Sequence, residues 1–195
     1  MKKLIGLTGQ SGAGKSEVAK AFEQKGACVI DCDKIAREQS NNQELLQKLC
    51  DAFSTNILNN DKTLNRKALA KIAFSTKQNT EKLNNIMLPY LKKVILGIAK
   101  NCQSDVVVLD APTLIESGLN LECDVNICVL ADKQTRLDRI ILRDNISKED
   151  ALIRINAQHS DKYYISMCDY TLYNDQQLQG LIDKTLELIN QLDFM

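Results

Sequence analysis

The sequence predicts a doubly wound α/β fold: three layers, α/β/α, around a five-stranded and mostly parallel sheet, with a helical insert and a lid. Three observations carry this expectation. Short apolar runs alternate with helical patterns whose apolar residues recur three or four apart. One run, VVVLD, is apolar almost throughout, as strands buried on both faces are. The first run leads through a glycine-rich loop directly into an amphipathic helix. In such folds ligands sit outside the carboxyl ends of the strands.

Taken in order, residues 4–8 form the first strand, and residues 17–25 form a helix with Val18, Ala19 and Phe22 on one face. Gly26 follows at the natural helix stop. The second strand is 28–31 and the third is 106–110. About 75 residues lie between them, far more than one crossover helix needs. QELLQKLCDAF, NRKALAKIAF and TEKLNNIMLPYLKKVILGIAK all read as helices there, an insert suited to covering a second substrate. The fourth strand is 125–130, and 170–173 is a weaker fifth. Between these two, residues 132–164 are polar and arginine-rich, and read as two helices joined near 145–147. Ser147 with Asp150 resembles a capping box at the second helix start. The expected division is a core of 1–34, 106–131 and 165–195, a helical subdomain at 35–105, and a lid at 132–164.

Composition excludes several classes. The 25 basic and 25 acidic side chains balance, so there is no general attraction to nucleic acid or an anionic membrane. No apolar run approaches the roughly 18 residues that span a bilayer, and MKKLIGLTG reads as a strand entering the loop rather than a signal peptide. Seven scattered cysteines without a CxxC pair argue against a disulfide framework or zinc site and for a reducing cytoplasm. His159, the only histidine, has no partners for a nucleophilic triad.

The chemistry begins at Gly9-Gln10-Ser11-Gly12-Ala13-Gly14-Lys15-Ser16, which satisfies G-x-x-x-x-G-K-[ST]. Glycines let the loop curl so that backbone N–H groups face a phosphate, and the following helix adds its positive end. Lys15 would reach the β- and γ-phosphates, and the Ser16 hydroxyl would hold Mg2+. Asp110, ending VVVLD, is the acidic strand end that helps hold Mg2+ in such sites, here through water. With no N-K-x-D guanine signature, ATP is the expected nucleotide.

VIDCDKIAR places Asp31 and Asp33 one residue apart. On an extended segment both would face the ligand crevice, with Cys32 turned away. Spacing leaves two roles open for Asp33, a general base for an alcohol acceptor or a helix cap. Arg136, Arg139 and Arg143 share a helix face, and Arg154 and Gln158 repeat that spacing. The stripe is either a solvated face or a lid that brings guanidiniums to a transferring phosphoryl group.

Nearly end to end, the chain resembles the dephospho-CoA kinases, P-loop enzymes that phosphorylate the ribose 3′-hydroxyl of dephospho-CoA. The resemblance rests on IGLTGQSGAGKS, VIDCDKIAR, DKTLNRKALAKIAF, LDAPTLIESGL, RLDRIILRDNISKEDALIRINAQ and CDYTLYND. It implies Asp33 as the base, Thr8 and Lys15 along the phosphates, and Arg139 at the transferred group. Arg143 would support the lid, and Asn174 would lie near adenine. ATP would contact the loop from Ser11 through Gly12, Ala13, Gly14, Lys15 and Ser16 to Glu17, and the coenzyme substrate would contact Asp31, Asp33 and Arg37. The helical insert would bind that coenzyme. ATP, Mg2+ and dephospho-CoA are thus the expected ligands of a cytoplasmic monomer or weak homo-oligomer, with no nucleic-acid or membrane partner. The nearest alternatives are a nucleoside or nucleoside-monophosphate kinase and a catalytically silent nucleotide switch. Departures from the family pattern fall at Leu88 (commonly His), Glu17 (Thr in many P-loop kinases), Thr113 (usually Leu) and Asp175 (usually small).

Overall fold

A computed structural model describes residues 2–174 and 178–192; Asp175 and the last three residues of the expected core lie outside them. The five expected strands are present as β1 (Lys3–Gly9), β2 (Cys28–Asp31), β3 (Val106–Asp110), β4 (Val125–Leu130) and β5 (Tyr170–Tyr173). They form one sheet in the order β2-β3-β1-β4-β5, and every pairing is parallel. Helices are α1 (Lys15–Gln24), α2 (Cys32–Gln39), α3 (Gln43–Phe53), α4 (Arg66–Ala73) and α5 (Lys77–Asn101), then α6 (Lys133–Asp144), α7 (Lys148–Asn156), α8 (Asp161–Met167) and α9 (Leu178–Leu192).

Alternation along the central strands builds the layers. Ile5, Leu7, Ile127 and Val129 join Val18 and Phe22 of α1 and Leu181 and Leu188 of α9 in one core. The neighbours on β4, Cys128 and Leu130, turn to the other face and pack with Ile115 and with Tyr164 of α8. Strand register brings the carboxyl ends of three strands together, with Asp31 opposite Asp110 and Asp110 opposite Leu7. This is the edge where a doubly wound sheet binds its ligand.

The chain divides into two compact units, Met1–Asp31 with Ala99–Met195, and Cys32–Ile98. The helical unit therefore starts and ends a few residues before the expected 35–105. The reason is local: α2 follows β2 with no linker, and the last turn of α5 is tied to the core by the Lys2 ammonium, which donates to the Lys100 carbonyl at 2.8 Å. Inside the unit, Leu45, Leu49 and Phe53 recur every fourth residue along α3 and pack with Ile57, Leu69 and Ala73. Asn42 caps α3 by accepting from the Glu44 and Leu45 amides, and Asn65 caps α4 through the Ala68 amide.

Three features differ from expectation. Because α2 begins at Cys32, Asp33 stands in the first helical turn, so strand alternation does not extend to it. An acid there is favoured by the helix dipole. The lid region holds the start of a third helix, α8, besides α6 and α7. Finally, Cys28 and Cys102 are paired as a disulfide, against the reading of the scattered cysteines as free thiols without a disulfide framework. Among the described residues no helix is long and apolar enough to cross a membrane.

Candidate active site

The glycine loop connects β1 to α1 through two left-handed residues, Gly12 at φ 80° and Gly14 at φ 107°. A Cβ at Gly12 would lie 2.8 Å from the Arg136 carbonyl oxygen, and one at Gly14 would lie 2.5 Å from Nδ2 of Asn174. Both positions thus require glycine by conformation and by space. The amides of Lys15 and Ser16 are among the first of α1 and have no intrahelical acceptor, which suits them to an anion.

Three consecutive loop residues are held from outside. Gln158 Oε1 accepts from the Ser11 amide at 3.1 Å. Arg139 Nη1 donates to the Gly12 carbonyl at 3.2 Å, and Asn174 Nδ2 donates to the Ala13 carbonyl at 2.7 Å. Asn174 is itself fixed just past β5, its amide donating to the Leu130 carbonyl at 2.8 Å. Arg139 stands on α6 and Asn174 just past β5, and both touch the loop's own backbone. Gln158 lies beyond the end of α7, so its apparent helical repeat with Arg154 is not structural.

Beside the loop, the Lys15 ammonium contacts the Asp110 carboxylate, joining the two residues that sequence assigned to phosphate and metal. Both side chains are largely buried, at 16% and 14% exposure, so the pairing is strengthened by reduced solvent screening. Ser16 is exposed in the first turn of α1. Ser16 and Asp110 offer oxygen donors only, the set that suits Mg2+ completed by phosphates and water. Among the described residues no group of three or more His, Cys, Asp or Glu could hold a metal ion. Thr8 is fully buried in β1, and its hydroxyl donates to the Pro112 carbonyl at 3.2 Å, so this oxygen supports the turn after β3. Glu17 forms an ion pair with Lys20 at 2.8 Å.

The arginine stripe separates by burial. Arg136 is buried, Arg139 half-buried and Arg143 exposed. Arg143 grips Asp144 through two bonds of 2.7 and 2.9 Å, and Arg154 of α7 reaches the same carboxylate at 2.5 Å. The hydrogen bond from Arg143 is the main cause of the depressed Asp144 pKa. Asp144, given no role from sequence, thereby ties α6 to α7. Leu137, Ile140, Ala151 and Ile155 pack between the same helices. The expected cap is present, with Ser147 accepting from the Asp150 amide at 3.0 Å.

The helical unit has a cleft of its own, of about 340 Å³. Its polar lining includes Asp33, Arg37 and Arg66, and its apolar lining includes Leu69, Leu83 and Met87. Arg66 is braced by bonds to the Arg37 carbonyl at 2.8 Å and the Ser40 hydroxyl at 2.9 Å. Asp31 belongs to the core unit, at the exposed end of β2.

The chain is similar to known proteins along nearly its whole length. The family model described as Dephospho-CoA kinase matches residues 3–180. A dephospho-CoA kinase of Fusobacterium nucleatum is 35% identical over 181 residues, covering 93% of this chain and 94% of the relative. A solved dephospho-CoA kinase from Campylobacter jejuni superposes with a TM-score of 0.69 at 25% identity, covering 98% of both chains. A shikimate kinase from Acinetobacter baumannii shares the fold alone, with a TM-score of 0.52 at 15% identity, covering 100% of this chain and 97% of that one. The three-layer α/β/α architecture is therefore that of a P-loop kinase, and the chain belongs to the dephospho-CoA kinase family.

Proposed function

We propose that the protein transfers the γ-phosphoryl group of ATP to the ribose 3′-hydroxyl of dephospho-CoA, giving CoA and ADP, the last step of coenzyme A biosynthesis. The observation that carries the choice of acceptor is the cleft of the helical unit, where Asp33 lies with Arg37, Arg66 and an apolar wall. A substrate with phosphates at one end and a long, weakly polar arm suits such a lining better than a bare nucleoside does. Asp31 and Arg37 would contact this substrate, and the helical unit would be the coenzyme-binding subdomain.

The roles follow from chemistry. The α1 amides, the loop backbone from Gly12 to Glu17 and the Lys15 ammonium would hold the ATP phosphates, with Thr8 beneath them and Ser11 at the loop's edge, its amide given to Gln158. Mg2+, held by Ser16 and through water by Asp110, would neutralise charge on the β- and γ-phosphates. Asp33 would accept the 3′-hydroxyl proton as the new P–O bond forms and the bond to ADP breaks. Arg139 would place its positive charge on the transferring group, Arg143 would steady the lid at 132–164, and Asn174 would border adenine. Exchange of partners is part of this scheme: phosphate replaces Asp110 as the closest anion to Lys15. The reaction is assigned to the cytoplasm, where ATP is available, and to a monomer or weak homo-oligomer.

Coupled ADP release with dephospho-CoA, compared with a panel of nucleosides and nucleoside monophosphates, tests the proposal. Dephospho-CoA should be turned over at least about 100-fold more efficiently, because a bare nucleoside or nucleotide lacks the arm that would cover the apolar wall of the cleft. Equal turnover of any nucleotide acceptor would overturn it.

A further inference from the structure

Gln158 stands outside every role assigned so far, yet its side chain meets the loop that the chemistry depends on. Its Oε1 accepts two hydrogen bonds, from the Ser11 amide at 3.1 Å and from Arg136 Nη1 at 3.3 Å. Two donors converging on one atom fix that atom as the oxygen, since the amide nitrogen could accept neither. The surroundings are polar and partly buried. Gln10 is 3% exposed and donates to the Asp161 carboxylate at 2.8 Å and to the His159 carbonyl at 3.3 Å. Arg136 is 6% exposed, and its Nε has no partner among the described residues. Gln158 is thus the acceptor that joins the phosphate loop to the base of the lid helix.

We propose that Gln158 is a positioning residue for ATP binding, one that sets the curvature of the loop by holding the Ser11 amide. Gly12 and Gly14 occupy backbone conformations that few other residues adopt, and glycine also gives the loop many alternatives. A loop with that freedom presents converging amides only if its flanks are held. The carbonyls of Gly12 and Ala13 are held by Arg139 and Asn174. Ser11 precedes them, and Gln158 supplies its anchor. The contact spans 147 positions of sequence, so the loop and the segment after α7 are ordered together. The effect falls on the nucleotide, because every bond involved lies in the core unit.

Three variants test this: Gln158→Leu, which keeps bulk without an acceptor, Gln158→Asn, which shortens the reach, and Gln158→Glu, which keeps an acceptor for both donors. ATP affinity is read by calorimetric titration without acceptor substrate, beside kcat, both KM values and melting temperature. Gln158→Leu and Gln158→Asn should weaken ATP binding about 3- to 30-fold, the effect of leaving a part-buried amide unpaired. Their KM for dephospho-CoA should stay within about twofold, and Gln158→Glu should restore ATP affinity to within about threefold of wild type. Unchanged ATP affinity in Gln158→Asn, or equal loss in Gln158→Glu and Gln158→Asn, would overturn the proposal, and so would a change confined to the dephospho-CoA KM. These comparisons hold even if the leucine variant does not fold. The role presupposes that the loop binds ATP, and that premise fails separately if the wild-type protein gives no ATP signal.

Discussion

Replacing Gly14 with alanine measures how firmly the phosphate loop is held from outside. Gly14 sits at φ 107° and ψ 17°, where a side chain adds about 1–2 kcal/mol of backbone strain. The new Cβ would also fall 2.5 Å from Asn174 Nδ2 and 3.0 Å from Leu181 Cδ2. Asn174 is 3% exposed, and its Nδ2 is held by the Ala13 carbonyl at 2.7 Å. It can yield only by leaving a buried carbonyl unpaired, which costs about 1–3 kcal/mol. The expected loss is therefore about 2–5 kcal/mol, within a typical stability of about 5–15 kcal/mol, so the variant should fold. Gly26→Ala is the control, because Gly26 has φ 91° but a Cβ there meets nothing within 4 Å. It shares the strain without the clash. In urea denaturation followed by circular dichroism, Gly14→Ala should lose about 1–3 kcal/mol more than Gly26→Ala. Only Gly14→Ala should also bind ATP more weakly. Equal losses, with ATP affinity intact in both, would refute the clamp.

Asp33→Asn should lower kcat by about 10²–10⁴ while ATP still binds; a near-normal kcat would return Asp33 to a purely helix-stabilising role. The Asp144 pKa is depressed below its ordinary 3.8, chiefly by its hydrogen bond with Arg143. Its stabilising contribution is therefore present above the ordinary carboxylate range and fades as pH falls through the depressed value. The melting difference between wild type and Asp144→Asn should thus be visible at pH 7 and vanish in stronger acid; a difference independent of pH would exclude the carboxylate charge as its source. Cys28 and Cys102 are 74 positions apart and enclose the whole helical unit. Closing a loop of that length constrains the unfolded chain by about 4 kcal/mol. Protein kept without reductant should unfold at higher urea than protein in dithiothreitol or the Cys102→Ser variant, whereas identical midpoints would mean the thiols stay unpaired in solution.

The sheet was legible because its strands are apolar runs with sharp polar or turn boundaries. Residues 28–31, 106–110, 125–130 and 170–173 match strand limits residue for residue. β1 extends one residue beyond each end of its run because Lys3 and Gly9 pair through backbone, which hydropathy does not register. α8 has seven residues, too few for a helical period to stand out. DCD hides a helix start because both states place polar residues there. Gln158 carried the wrong signal, a helical spacing that ends before it, while its true partner lies 147 positions away. The cysteine pair is decided by topology: β2 and β3 are parallel neighbours, so the segments leading into them share one edge. Cys28 opens β2 and Cys102 stands four residues before β3. No motif reports such a pair until strand order is known.

Arg139 and Asn174 sharpen what resemblance alone can and cannot assign. Resemblance implies a place beside ATP for each, and in this structure their polar atoms are engaged by protein. Arg139 spans the Gly12 carbonyl at 3.2 Å and the Asn174 oxygen at 3.4 Å. Asn174 is committed more tightly, at 2.7 Å to Ala13 and with almost no exposure. These distances imply different parts in a reaction cycle. A guanidinium bound to neutral acceptors beyond 3 Å gains from moving to a phosphoryl oxygen, since a charged acceptor forms the stronger bond. A buried amide holding a buried carbonyl has no such incentive, because leaving strands both groups. Arg139 is therefore suited to move between loop and ligand, whereas Asn174 is suited to stay. If adenine lies beside Asn174, the residue serves it as a fixed wall, with one Nδ2 hydrogen given to the Ala13 carbonyl and Oδ1 accepting from Arg139.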